Sequence, residues 1–263
     1  MKLAPHPEAA RPWKIWFRAP GKSATVPAMK RLALVWLLLV VAPSLPALAA
    51  ADSSYFLIPA SIAPEKFLPA PPVPGSLAAL GDLETILQVQ AARTPAEVAW
   101  ARLIEKEDYF SDFREVLGPW FEEKNLPVLV ELIRQIIADA NVANRRVKGL
   151  YARQRPPAVD SAVQPCVAIP VTNSYPSGHS LRAHVCAAVL GDIFPDRREP
   201  LWSWAHHVAW GRVIGGVHFP TDVVGGRLVA EAIMAEIRKS PAYRAAVEKC
   251  QAEAVPFLLK KAA

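Results

Sequence analysis

Apolar residues recur at three- and four-residue spacing through most of the chain, and alternation of period two is nearly absent, a pattern that predicts helices and no sheet. Ser76 can cap a helix carrying Leu77, Leu80, Leu83, Ile86 and Leu87. Thr94 and Pro95 supply the cap and first-turn proline of a second. The strongest stretch runs from about Pro127 to Tyr151, with Leu129, Ile133, Ile137 and Ala140 on one stripe and Arg134, Asn141, Arg145 and Lys148 away from it; it ends before Pro156. Another helix begins near Ser177, carries Leu181, Val185, Ala188 and Val189, and stops at Phe194-Pro195. A further one begins near Pro200 with Trp204, Val208 and Val213. After the break at Pro220 a last long helix repeats Val229, Ile233 and Ile237 at four-residue spacing. No repeat of fixed period occurs. The expected fold class is all-α, with one helical domain over residues 76–263.

Two segments before that domain read differently. Residues 50–75 hold Pro59, Pro64, Pro69, Pro71, Pro72 and Pro74 and predict an extended arm lying on or leading into the domain. In residues 1–49, Met29-Lys30-Arg31 precedes the unbroken apolar run Leu32–Ala42, and Pro43, Pro46 and Ala47-Leu48-Ala49 follow it. Positive flank, short apolar stretch and small-residue cleavage site make a signal peptide, too short for a spanning anchor of about 20 residues. Met29 is the expected true start, and export to the periplasm the expected destination.

Composition narrows the function classes. With 52% hydrophobic and 21% charged residues in 263, the chain has the apolar surface to bury a large core. The net charge of +6 invites a nucleic-acid reading. Yet seven of the 30 cations and only one of the 24 acids lie in residues 1–49, so the body holds 23 of each and needs no nucleic-acid partner. Three cysteines allow at most one disulfide; Cys186 lies on an apolar helical stretch, which leaves Cys166 with Cys250 as the default pair. No Cys/His spacing of metal-binding type occurs.

Three polar clusters interrupt the apolar helices. Lys148 and Arg155, seven residues apart, fall two turns apart on one helical face and suit a tetrahedral dianion, although cations near a helix C-terminus more often face solvent. Tyr175-Pro176-Ser177-Gly178-His179 opens a helix, where unpaired N–H groups, a glycine and a hydroxyl make an anion cradle or an ordinary N-cap. Gly211-Arg212 is followed by His218 and Asp222, and a histidine four residues before an aspartate can be held by it through Nδ1, presenting Nε2 as a nucleophile. Asp222 can equally be no more than a helix cap.

Together these clusters read Lys-x6-Arg-Pro, Pro-Ser-Gly-His and x-Arg-x5-His-x3-Asp. The sequence resembles the phosphatidic acid phosphatase type 2/vanadium haloperoxidase superfamily and, within it, the bacterial class A non-specific acid phosphatases. The resemblance covers most of residues 65–240, including the proline-rich arm, and departs at Gly211 where the family has Ser, at Pro157 after Arg-Pro, and at Asn173 for a frequent Gly. It implies a helical bundle of that superfamily's type. It also implies phosphomonoester hydrolysis in which His218 attacks phosphorus, Asp222 holds its ring and His179 is the acid. Lys148, Arg155, Ser177, Gly178 and Arg212 are then the phosphate-binding set, with no metal and no cofactor.

On this reading the partners are small phosphomonoesters, with no stable membrane anchor after signal cleavage and homo-oligomerisation left open. The alternatives are a lipid or polyprenyl phosphate phosphatase, a vanadium-dependent haloperoxidase, and a non-catalytic phosphate-binding protein. The missing serine predicts a lost hydroxyl contact to phosphate. Tyr151 and Tyr175 flank the clusters as candidate pocket walls, while His184, His206 and His207 have no assigned role.

Overall fold

The computed structural model describes residues 54–57 and 59–262; the leader, with its signal segment and Met29, lies outside the described residues. Among the described residues there are nine α-helices and no strand: α1 (Leu77–Ala92), α2 (Pro95–Ile104), α3 (Tyr109–Leu117), α4 (Pro127–Gly149), α5 (Pro156–Val159), α6 (Gly178–Ile193), α7 (Arg198–Ile214), α8 (Pro220–Ile237) and α9 (Pro241–Ala262). The fold is all-α.

Local chemistry starts most of these helices. Ser76 accepts the Ala79 N–H at the start of α1, and Thr94 with Glu97 forms a reciprocal capping box on α2. The N-cap position of α4 is Leu126, which has no side-chain acceptor; Glu253 of α9 fills that role from far along the chain, accepting the Val128 and Leu129 N–H groups at 2.8 and 3.1 Å.

The central element is α6. Thirteen of its 16 residues are buried, so it has no polar face and must lie inside the bundle. Helices α7 and α8 pack on it most extensively, with α4 and α9 completing the shell. Gly226 of α8 is what lets the two helix starts approach: a Cβ there would meet the Ser177 carbonyl at 2.4 Å. The stripe of α4 that faces the core is Leu129, Leu132, Ile133, Ile136, Ala140, Ala143 and Val147, so Ile137 belongs to the rim.

The proline-rich segment is pinned down. Leu57, Ile62 and Leu68 are buried in the main core, and the buried Asp139 of α4 accepts the N–H groups of Tyr55, Phe56 and Leu57 at 2.9, 2.7 and 2.9 Å. Two 3₁₀ turns, Pro59–Ser61 and Pro64–Lys66, break its extended course.

Four expectations need correction. Helices α3 and α9 were not foreseen: α3 carries Phe110, Phe113 and Leu117 at three- and four-residue spacing behind the Asp108 cap, a short signal that the longer stretches overshadow, whereas the polar and small residues of α9 leave little continuous apolar stripe. The apolar stripe expected of α1 is only half buried: Ile86, with Leu83 and Leu87 against it, packs into a core cluster, but Leu77 is 89% and Leu80 53% exposed and Asp82 is buried. Lys148 and Arg155 do not share a helix. α4 stops at Gly149, and Arg155, placed before Pro156, is extended (φ −79°, ψ 155°), as the ring of a following proline demands. Finally, all three cysteines are free. Cys250 packs into the main core from α9, while the Cys166 thiol faces the Ile214 carbonyl at the end of α7.

Candidate active site

The sequence clusters converge where the N-termini of α6 and α8 meet the C-terminal end of α7. His218, Asp222, Arg212, Ser177 and Arg155 are all buried there. His218 precedes α8 and Asp222 lies in its first turn, so Asp222 both caps the helix, accepting the Phe219 N–H at 2.9 Å, and meets His218 Nδ1 at 3.2 Å. With a carboxylate on Nδ1, that nitrogen carries the hydrogen and Nε2 keeps the lone pair. Arg155 Nη1 stands 3.2 Å from Nε2 and also donates to the Val217 carbonyl at 2.7 Å.

Electrostatics keep this pair poised. Burial would raise the Asp222 carboxyl, but His218, Arg153 and the Ser174 hydroxyl outweigh it and hold it below the ordinary carboxylate range. Burial dominates at His218 and, despite Asp222, lowers it to about 4, so the ring is neutral and its lone pair available in mild acid.

The cations come from separate elements. Lys148, at the end of α4, donates from Nζ to the Asn173 carbonyl at 2.6 Å. Burial, reinforced by Arg155, lowers it to about 7. Arg155 is fixed by the Thr172 carbonyl at 2.9 Å and lowered by burial to about 10. Arg212 is fully buried, and its Nε and Nη1 have no hydrogen-bond partner among the described residues. Buried guanidinium donors without acceptors mark a place built for an anion.

The start of α6 completes the cradle. Ser177 is the N-cap, its Oγ taking the Ser180 N–H, so its hydroxyl hydrogen remains to donate. The helix start offers N–H groups at Gly178 and His179, and around Gly178 lie the Arg182 guanidinium and Asn144 amide, 3.1 and 3.2 Å from where a Cβ would sit. His179 Nε2 lies 3.2 Å from Glu107 Oε1, but without hydrogen-bond direction. Burial, then Arg212, Arg182 and His218, lowers His179 to about 2, against a Glu105 backbone hydrogen bond that raises it.

A second tier of residues carried no motif. Arg153 donates to Asp222 Oδ1 at 2.7 Å, to Thr221 Oγ1 at 2.6 Å and to Asp82 Oδ2 at 2.6 Å, while its guanidinium lies over the Phe219 ring at 4.1 Å. Ser174 Oγ and the Ser177 N–H also bond to Asp222, to its carboxylate and its backbone carbonyl. Thr221 bonds to Asp82 through both its N–H and its hydroxyl. The buried face of α1 is thus explained: Asp82 anchors the cation that anchors Asp222.

Gly211 faces away from this chemistry. A Cβ there would meet Ile104 Cδ1 at 2.1 Å and lie 3.5 Å from Trp100 Nε1, so the position belongs to the packing of α2 on α7. Tyr151 lines a groove of 730 Å³ that also takes in Val73, Leu80, Leu83, Arg153 and Phe219 but neither His218 nor His179. Tyr175 is buried edge-on to Tyr151, its hydroxyl tied to the Pro69 carbonyl. Of the histidines given no role, His207 stacks on Trp100, and His184 packs against Trp202 and His206. Among the described residues no group of three or more His, Cys, Asp or Glu side chains could hold a metal ion, and no helix is long and apolar enough to cross a membrane.

Comparison with known proteins finds the following similarities. The PAP2 superfamily profile matches residues 128–245, which contain all three clusters. A non-specific acid phosphatase of Providencia stuartii is 28% identical over 201 residues, covering 71% of this chain and 78% of the relative. One of Salmonella typhimurium is 26% identical over 203 residues, covering 73% and 80%. A solved bacterial vanadium-dependent iodoperoxidase shares 18% identity with a TM-score of 0.49, over 64% of this chain and 52% of that one.

Proposed function

We propose that this chain, whose residues 128–245 match the PAP2 superfamily, is a member of it and an exported acid phosphatase hydrolysing small phosphomonoesters through a phosphohistidine. The observation that carries the proposal is His218: its Nδ1 is held by a buried carboxylate and its Nε2 lone pair faces a guanidinium. A phosphate-binding protein has no need of an oriented nucleophile.

In the first step His218 Nε2 attacks phosphorus and the ester P–O bond breaks, its electrons passing to the departing oxygen. His179 gives that oxygen its proton, and the alcohol leaves. In the second step water gives a proton to His179 and attacks phosphorus; the P–N bond breaks and phosphate leaves with His218 restored. Lys148, Arg155 and Arg212, with the N–H groups opening α6, stabilise charge on the equatorial oxygens, where most catalysis of phosphoryl transfer resides. That cationic set supports a reaction without a metal. A bound dianion also offsets the cations that depress His179, raising its proton affinity when the acid is needed.

Relatives named acid phosphatases support a soluble ester as substrate over a lipid. The apolar run after Met29 supports export, with the periplasm as destination. The test is p-nitrophenyl phosphate hydrolysis in EDTA by residues 50–263 and by their His218→Ala variant. Turnover in EDTA that falls by roughly 10⁴-fold or more in the variant is expected, as for loss of a nucleophile. No turnover by the folded wild type, with activity instead on lipid phosphates or in vanadate-dependent halide oxidation, overturns the reading.

A further inference from the structure

His179 is gripped by a turn that no motif identifies. Between α2 and α3 the chain passes through Glu107, the one non-glycine residue with positive φ among those described (φ 54°). L residues seldom adopt that conformation, and such positions persist where the surroundings enforce them. The side chain carried by that turn makes a charge contact: Glu107 Oε1 accepts from Arg182 Nε at 2.8 Å and from Arg182 Nη2, and the same oxygen lies 3.2 Å from His179 Nε2.

The groups facing His179 make that carboxylate matter. Arg182 approaches from its own helix, Arg212 from α7 and His218 from the segment before α8, all disfavouring an imidazolium. The α2–α3 turn answers with the Glu105 backbone and the Glu107 carboxylate. Because Nε2 is buried yet has no aligned hydrogen bond, its proton is not committed to Glu107 and can turn toward a leaving oxygen.

We propose that Glu107 is the positioning residue of the acid, holding the His179 ring and stabilising the imidazolium that delivers the proton to the leaving alkoxide. This rests on the phosphatase reading above. The proton leaves Nε2 for the ester oxygen in the first step and is replaced from water in the second, while Glu107 keeps its charge throughout.

Leaving groups separate this role from a structural one. p-Nitrophenolate departs without protonation, whereas an alkoxide requires it. For Glu107→Gln, kcat/KM on glycerol 2-phosphate is expected to fall roughly tenfold or more, part of what an acid contributes, while p-nitrophenyl phosphate changes less than about threefold. Glu107→Asp, which keeps the charge, should recover part of the difference. If Glu107→Gln does not fold, Glu107→Asn makes the same test, since Asn accepts positive φ. Equal losses on both esters, or no loss on either, overturn the proposal and leave the phosphatase intact. A wild type that hydrolyses neither ester overturns both.

Discussion

The two histidines share one site but are held in opposite ways. The His218 side chain is 2% exposed and its partner Asp222 0%; Asp222 in turn is fixed by Ser174, Arg153 and the Phe219 N–H. The His179 side chain is 16% exposed beside a Glu107 that is 28% exposed, and its Nε2 has no aligned partner. In the role proposed for His218, a nucleophile must present one lone pair in one direction, so a rigid, fully bonded setting serves it. In the role proposed for His179, an acid must release and regain a proton, so an uncommitted nitrogen next to a carboxylate serves better. The difference teaches that the chain spends its buried polar bonds on direction at one histidine and on charge at the other.

The sharpest way to break that contrast is Asp222→Asn. The amide keeps the shape but no longer holds Nδ1–H as an anion, and kcat should drop on the order of 10³- to 10⁴-fold for aryl and alkyl phosphates alike. Arg153→Met should cost less, because Ser174 and the Phe219 N–H still bond the carboxylate. A leaving-group-dependent loss in Asp222→Asn would mean that the two histidines are not functionally distinct.

A smaller effect lies in the pH profile, where each limb belongs to a different group. His218, lowered to about 4, takes up a proton below that pH and loses its lone pair, so activity falls toward stronger acid. Lys148, lowered to about 7, loses its charge above that pH and weakens the anion clamp. On p-nitrophenyl phosphate, whose leaving group needs no proton from His179, free-enzyme kcat/KM should therefore be largest between about 4 and 7, and Lys148→Arg should move the basic limb upward while leaving the acid limb in place. Movement of the acid limb would assign it to another group.

How much of this was legible in the sequence follows the distance between partners. His218 with Asp222, and Ser177 with Gly178 and His179, lie within one helical turn, where residue type and spacing already imply geometry. So do the caps Ser76 and Thr94. Arg153 meets Asp82 across 71 residues and Arg182 meets Glu107 across 75, so only the packing of α1 beside the α4–α5 segment and of the α2–α3 turn on α6 brings them together. Asp82 was hidden for a further reason: on a helix rich in leucine it reads as the solvent face, yet the leucines Leu77 and Leu80 are the exposed ones. The shared helix expected for Lys148 and Arg155 failed on one proline, since spacing counts turns but Pro156 decides the conformation before it.

The mildest prediction concerns Gly211, where the resemblance suggested a lost phosphate contact and the structure shows a packing contact. A serine Cβ there would lie 2.1 Å from Cδ1 of Ile104, which is 1% exposed and has little room to yield. Gly211→Ser should therefore destabilise the fold by about 1–3 kcal/mol through overpacking, lowering the melting temperature by about 2–10 °C. Its kcat/KM should change only a few-fold. Ile104→Val removes the offending methyl at a cost of about 0.5–1.5 kcal/mol in the wild type, but in the serine background it should raise stability. That reversal of sign is the measurement: if the two changes add without coupling, or if serine alters kcat/KM more than it alters melting, position 211 belongs to the phosphate site after all.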